Sequence, residues 1–350
     1  MIQQPADSLQ AWIDYYLQMA VRGVRSAGME RKITLHLQRF QQFFENRYGQ
    51  EHISSCVKRD VVVWQKSLLD QGLAASTINN HLASLSGFGT WVMSQDGGIF
   101  PMGDPTKGIG EIGLLPLEPR ALNEQQIASL KNLCDRLFSY YRLKGRHWLL
   151  TDEQPPIRVN ARPWRDRAII FVLLSTGLRR EELINLNLDQ LKPNTVIELR
   201  QARSAHLHGV QGKGKSQRDV FLSADARQAL ADYLEKEHPR DVPDTDEIPL
   251  FLSAIEMVNR TPDARLAKRS INNLVERIGR WHDGEIQDPS RHISPLRPHD
   301  LRHTFAFQLA KITGADAYEL ERRLGHRSQR YIQRYTNPPK EIAASYIEDF

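Results

Sequence analysis

The sequence predicts a mainly α-helical protein of two domains, with a small β-sheet confined to the second. Three observations carry that expectation. Apolar residues recur at the 3.6-residue spacing of amphipathic helices through most of the chain. A Gly- and Pro-rich stretch without periodicity, "DGGIFPMGDPTKGIGEIGLLPLEP" (96–119), separates two such regions. In the second region, two short β-like runs flank the tight-turn signal "KGK". A length of 350 residues also exceeds what one hydrophobic core usually serves.

Taken in order, four segments of the first hundred residues each carry an apolar stripe: "SLQAWIDYYLQMAV" (8–21), "ERKITLHLQRFQQFFENRY" (30–48), "KRDVVVWQKSLLDQG" (58–72) and "STINNHLASLSGFGTWVMSQ" (76–95). They make a small helical domain, 1–100, with "YGQEH" and "QGLAA" as turns and Ser76 as N-cap of the fourth helix. A linker follows, 101–119, and then a second domain, 120–350. It opens with a helix at "RALNEQQIASLKNL" (120–133), followed by an irregular basic and aromatic excursion over 140–163. The apolar run "AIIFVLLSTGL" (168–178) reads as a buried helix, being too short to span a bilayer. After the helix "RREELINLN" come three β-like runs, "TVIELRQ" (195–201), "HLHGVQG" (206–212) and "QRDVFLS" (217–223), the last two forming a hairpin. Further helices are expected at 225–237, 268–281, 300–313 and 316–324, with a short apolar one closing the chain at 341–350.

The bulk numbers exclude several classes. With 40% hydrophobic and 25% charged residues, the composition is that of a globular protein. Net charge is +5, with ten basic against nine acidic residues in 1–110 and 37 against 33 in 111–350. That excess permits a nucleic-acid partner without requiring one. The two cysteines, Cys56 and Cys134, stand far apart in apolar contexts, so neither a disulfide framework nor a Cys-based metal site is expected, and a cytoplasmic location is. The start "MIQQPADSLQAW" lacks the features of a signal peptide, and no membrane association is expected.

Four islands attract chemistry: "TGLRREEL" (176–183), "GKGK" (212–215), "HDLRH" (299–303) and "RRLGHRSQRYIQRYTN" (322–337). There is no HExxH, no Cys/His pairing and no paired carboxylates beside a basic strip, so no metal ligand set is visible. "GKGK" lacks the spacing of a phosphate-binding P-loop, and no nucleotide cofactor is expected. Together, Arg179, Lys213, His299, Arg302 and His326 are cationic or hydrogen-bond donating, and Tyr335 is a nucleophile. Two guanidiniums can hold the non-bridging oxygens of a phosphodiester and stabilise its transition state. Nearby positive charge favours a phenolate, which attacks phosphorus to leave a covalent ester. Lys213, at a hairpin tip, can reach the leaving oxygen as general acid. Each residue alone has a blander reading. Arg179 is then a surface arginine, "GKGK" a solvated turn, His299, His303 and His326 capping or core groups, and the five arginines of 322–337 a solvated face.

In order and spacing, these islands resemble the tyrosine recombinases, the site-specific recombinase and phage-integrase family. The chain supplies "TGLRREEL", "GKGKSQRDV", "HDLRHTFA" and "LGH", with Tyr335 nine residues beyond His326. "QGLAASTINNHLASLSGFGTWV" (71–92) is similar to the fourth-helix pattern of that family's helical, SAM-like core-binding domain. The resemblance implies a mixed α/β catalytic domain in which Arg179 and Arg302 clamp the scissile phosphate. Lys213 would protonate the departing 5′ oxygen, His299 and His326 would assist proton transfer, and Tyr335 would form a 3′-phosphotyrosyl link. Glu182 would orient its neighbours, and Tyr331 would pack or touch DNA. It further implies double-stranded DNA at specific sites as partner, a homotetramer with a dimer on each site, a Holliday junction intermediate, no cofactor and no divalent ion. A partner recombinase or accessory protein stays open.

Three stretches depart from the pattern: a long segment at 134–165, about eight extra residues around "QARSAHLH" (201–208), and the strongly basic run before Tyr335. They tilt the expectation towards a mobile element. The last helix, "KEIAASYIEDF", either folds back on its own domain or docks into a neighbouring protomer, the second being favoured. A type IB topoisomerase and a non-catalytic DNA-binding regulator are the competing readings. The helical first domain and the tail argue against the one, the complete residue set against the other.

Overall fold

A computed structural model of the chain describes residues 5–114, 119–142, 156–212 and 216–325. By packing the chain divides into two units, Met1–Leu117 and Glu118–Phe350. The fold is mainly α with one small antiparallel sheet, as the periodicity predicts.

The first unit is built on four helices: α1 (Leu9–Tyr16, continued by a π-helical turn, Leu17–Val21), α2 (Ala27–Tyr48), α3 (Lys58–Asp70) and α4 (Ala75–Gln95). Hydroxyl caps start the first two, Ser8 accepting from the amide of Ala11 and Ser26 from that of Met29. Helix α2 stops at Gly49, whose φ of 65° is the left-handed turn that glycine adopts without penalty. Ile78, Leu82, Leu85, Phe88 and Val92 line one face of α4 and meet Ile33, Leu37, Phe40 and Phe44 of α2 in a common core. Trp91 adds edge contacts with Tyr15 and Tyr16 of α1, ring centroids 5.3 Å apart in each case.

Ser76 does not cap α4. The amides of Thr77 and Ile78 both bond to the Ala74 carbonyl, so the first turn closes two residues earlier than a hydroxyl signal suggests. Within the expected linker, Ile109 and Ile112 lie against the first core, and Asn79 exchanges two 2.9 Å hydrogen bonds with the backbone of Ile112. Residues 115–118 lie outside the described residues.

The second unit begins with α5 (Glu124–Asp135) and α6 (Leu137–Tyr141). Of the long 134–165 segment, Arg142 and Ile157 form an antiparallel bridge, and 143–155 lie outside the described residues. Next come α7 (Pro163–Thr176), α8 (Arg180–Ile184), β1 (Leu191–Lys192), α9 (Val196–Gln201), β2 (Ala205–Gln211) and β3 (Gln217–Leu222). The chain continues through α10 (Ala224–Lys236), α11 (His238–Asp241), α12 (Lys268–Glu285), α13 (Pro298–Ile312) and α14 (Ala317–Leu324). Helix α7 is the central rod, with Ile169, Ile170, Val172 and Leu173 all sealed in the core and α10 and α13 packed against it. The three strands run antiparallel in the order β1-β2-β3.

The run "TVIELRQ", expected to be β-like, is the helix α9. The Thr195 hydroxyl accepts from the Glu198 amide and donates to its carboxylate at 2.7 Å, which starts a helical turn. Val196 and Leu199, three apart, face the core, while Ile197 is exposed, an arrangement a two-residue period would not give. Arg200 then pairs with Asp232 and Glu235 of α10.

One buried ion pair ties the entry of α7 to α11. Arg162, 2% exposed, donates to Asp241, 0% exposed, through Nε at 2.5 Å and Nη2 at 2.7 Å, and also reaches Glu256 at 2.8 Å. Removing Asp241 leaves Arg162 buried with only the partly exposed Glu256 as charge partner, which costs about 3 kcal/mol, the lower end for a broken buried pair. Asp241→Ala is therefore expected to lower the unfolding free energy of the second unit, read from urea titration, by about that amount, whereas alanine at the exposed Asp244 leaves it within about 0.5 kcal/mol.

Candidate functional site

The site is organised by two glycine turns. Helix α7 ends at Gly177 with φ of 60°, and a Cβ there would lie 2.4 Å from the ring of Phe305 on α13, so only glycine allows this approach. The chain leaves that turn extended and re-enters a helix at α8, with Arg179 as its N-cap residue. Glu182, in the first turn of α8, accepts the Arg179 amide at 2.9 Å and its Nη1 at 2.8 Å. Helix α14 ends the same way, at Gly325 with φ of 62°.

Three guanidiniums converge on the end of α14. Arg218, on β3, donates through Nε to the carbonyl of Arg323 at 3.1 Å. Arg302, on α13, donates through Nη2 to the carbonyl of Leu324 at 2.7 Å, and through Nη1 to that of Gly177 at 2.5 Å. Arg179 donates through Nη2 to the carbonyl of Gly325 at 3.4 Å. The final carbonyls of a helix have no partner within it and carry the negative end of its dipole, so they are natural acceptors for cations. Arg218 also forks onto Glu182, at 3.1 and 2.7 Å, so that one carboxylate holds two of the three guanidiniums.

Electrostatics follow from this crowding. Burial pushes the Glu182 carboxyl up, but hydrogen bonds and charge from Arg218, then from Arg179, outweigh it and hold the group below the usual glutamate value. His299, on the first turn of α13, keeps exposed surface yet is lowered, first by desolvation and then by the charges of Arg302 and Arg179. It is therefore a neutral imidazole at pH 7, able to donate or accept. Asp300 caps its own helix by accepting the Arg297 amide at 2.8 Å, and Thr304 links α13 to the amide of Leu122 at 2.9 Å. An open cleft of about 620 Å³ reaches this cluster, lined by Arg179, Arg180, Asn272, Arg297 and His299 among others.

Of the residues expected to form a site, Arg179, His299 and Arg302 are brought together from three separate elements. Lys213, His326, Tyr331 and Tyr335 lie outside the described residues, as does the tail helix 341–350. The two missing motif groups flank the cluster in the chain. His326 directly follows Gly325, and Lys213 directly follows Gly212, whose amide bonds to the Ser216 carbonyl at 2.7 Å and closes the hairpin stem. Arg218 was given no role by the sequence reading, although it is the arginine of "GKGKSQRDV"; its position in that string was the available signal. Among the described residues no helix is long and apolar enough to cross a membrane.

Glu182→Gln removes the charge that holds Arg179 and Arg218 and is expected to cost about 2 kcal/mol at pH 7. The folded carboxyl is depressed, so its stabilisation is complete above the ordinary value of about 4.3 and is lost as pH falls through the lower folded value. Urea unfolding from pH 7 to pH 3 should thus show the two proteins converging at the acid end. A constant gap would mean that the carboxylate charge contributes nothing.

Comparison with known proteins gives the same architecture. Residues 149–341 match the phage integrase family, and residues 13–96 match the phage integrase N-terminal SAM-like domain. The tyrosine recombinase XerC of Thermodesulfovibrio yellowstonii is 33% identical over 176 residues, 49% of this chain and 50% of that protein. XerC of Escherichia coli O139:H28 is 26% identical over 336 residues, 93% and 94% of the two chains. In the first of these the chain spans about half the length of its curated relative. Among solved structures, the XerH site-specific recombinase bound to palindromic difH substrate aligns with a TM-score of 0.66 at 18% identity, covering 98% of this chain and 84% of XerH. The Tn1549 transposon integrase in complex with circular intermediate DNA gives 0.66 at 17%, covering 98% and 99%. These likenesses establish the fold, a tyrosine recombinase domain behind a helical SAM-like one. With more than half of its length matched by one profile and its first unit by the companion profile, the chain belongs to the phage integrase family.

Proposed function

We propose that the chain is a site-specific DNA recombinase that breaks and rejoins strands through a 3′-phosphotyrosyl intermediate. The observation that carries this reading is the placement of Arg179 and Arg302 on adjacent carbonyls at the end of α14, with His299 beside them and His326 next in the chain. Guanidiniums suit the non-bridging oxygens of a phosphodiester, which they bind through paired N–H groups. Their charge also stabilises the phosphorane-like transition state, in which negative charge builds on those oxygens.

The reaction balances without net hydrolysis. The Tyr335 phenol oxygen attacks phosphorus, the P–O bond to the 5′ oxygen breaks, and Lys213 supplies the proton that this oxygen takes up. His299 and His326 hold hydrogen bonds to the phosphoryl group and pass the phenol proton away. The ester keeps the bond energy, so a 5′ hydroxyl from a second duplex reverses the attack and reseals the strand. Double-stranded DNA at specific sites is the substrate, gripped mainly through phosphates by both units, the first acting as a core-binding domain. Exchange between two sites passes through a Holliday junction in a homotetramer, with a dimer on each site and the tail helix 341–350 docked into the next protomer. We place the protein in the cytoplasm, on the nucleoid, in the service of a mobile element.

The test uses duplexes from the DNA flanking the protein's own coding region, nicked so that cleavage is trapped. A denaturant-resistant, protease-sensitive protein–DNA adduct should form with the native chain and vanish with Tyr335→Phe. Arg179→Ala should slow adduct formation by about 10²–10³-fold while leaving DNA binding nearly unchanged, the effect of removing one transition-state donor. An adduct that persists in Tyr335→Phe moves the nucleophile to Tyr331. Binding with no adduct favours a non-catalytic regulator.

A further inference from the structure

The segment in which the chain departs from its family pattern, 201–208, supplies the start of β2, and with it two histidines that the recombination chemistry does not use. His206 and His208 stand two residues apart, and Asp219 faces them from β3. The pairing register shifts between Leu207 and Val210, because Gly209 takes a left-handed φ of 62° and forms a bulge. The bulge turns the Gly209 amide onto the Asp219 carboxylate at 2.8 Å and sets His208 Nδ1 3.0 Å from the same oxygen. Gln190 fixes the bulge from β1's side, donating to the carbonyls of His208 and Gly209 at 3.0 and 3.2 Å.

We infer that His206, His208 and Asp219 form a surface site for a divalent transition metal of the zinc type. One ligand atom from each lies within 4.8 Å of the others. A tetrahedral zinc ion with bonds of about 2.0–2.1 Å spaces its ligands roughly 3.3 Å apart, so small side-chain rotations suffice. Two imidazoles and one carboxylate match the preferences of zinc, the fourth position going to water. Three arginines line the cleft beside Asp219, and each has a carboxylate partner: Arg218 pairs with Glu182 at 2.7 Å, and Arg322 and Arg323 with Glu319 at 3.8 and 3.0 Å. What the ion displaces is an exposed His208–Asp219 pair, an interaction of small worth. The bound ion joins β2 to β3; Lys213 lies between these strands in the sequence, and any effect on its chemistry rests on the recombinase reading, whereas the site itself does not.

The test is a calorimetric titration of the full-length, metal-stripped chain with Zn²⁺, followed by Co²⁺ absorption to read the coordination geometry. One ion per chain is expected, with an imidazole-type Co²⁺ spectrum. His206→Ala and Asp219→Asn should each weaken it by more than about 100-fold, beyond the range of an outer-shell change. His208→Ala, at a side chain 66% exposed, serves as a third variant should either of the others disturb the fold, and metal-free thermal unfolding checks each. Zn²⁺ should also slow amide exchange across the β2–β3 stem in the native chain and not in His206→Ala. Equal Zn²⁺ binding by native and variant chains would place any bound ion at other histidines of the twelve and overturn the site, as would an absence of binding. DNA cleavage is not read in any arm, so a failed recombinase assay leaves this result standing.

Discussion

The structure of the second unit depends on three guanidiniums bonding to three consecutive backbone carbonyls, those of Arg323, Leu324 and Gly325. Each comes from a different element: β3, α13 and the start of α8. A helix C-terminus that would otherwise expose unpaired carbonyls to partial burial becomes the point where sheet and helices are pinned together. Arg302 is only 2% exposed, and a guanidinium so buried must meet strong acceptors or destabilise the fold. It meets carbonyls at two helix ends, those of α7 and α14. Among the described residues at the centre of this cluster, Arg179, Arg218 and Arg302 are cations and Glu182, 4% exposed, is the anion. A centre held together mainly by neutral carbonyls keeps its positive potential for something else. Carboxylates in the same places would have cancelled it.

Much of this was legible in the chain because the motifs encode backbone geometry together with chemistry. The run "AIIFVLLSTGL" reads as a buried helix through residue 178, but the helix stops at Thr176, because Gly177 is left-handed and lies too near Phe305 for any side chain. "LGH" stops α14 by the same device. The periodic stripes placed α2, α3 and α4 within a few residues because their buried faces are continuous. The misreadings share one physical cause. Ser76 and "TVIELRQ" were judged from local preference, whereas their structure is decided by where the chain arrives: from the Gly72 turn in one case, against α10 in the other. Arg218 was passed over because its partners, Glu182 and the Arg323 carbonyl, are 36 and 105 residues away in sequence. No spacing rule reports contacts of that range.

The anchoring also constrains how the site is completed. The groups that hold the end of α14 bond to its backbone, so the identities of side chains 323 and 324 matter little to the clamp, while the hand of the turn at Gly325 matters greatly. A Cβ on residue 325 would lie 2.9 Å from Arg218 Nη1, pressing on the guanidinium that joins Glu182 to the helix end. Any side chain there must therefore both adopt a strained φ and displace Arg218, and through Glu182 the displacement reaches Arg179. The glycine is thus what lets the end of α14 lie against Arg218 and Arg179 with no side chain between them. Because the arginines hold the carbonyls of residues 323–325 themselves, the hand of that turn and the placement of Arg179, Arg218 and Arg302 cannot change independently of one another. That coupling leaves the three guanidiniums few free torsions, which is the preorganisation of a charged site that a protein contributes by geometry alone.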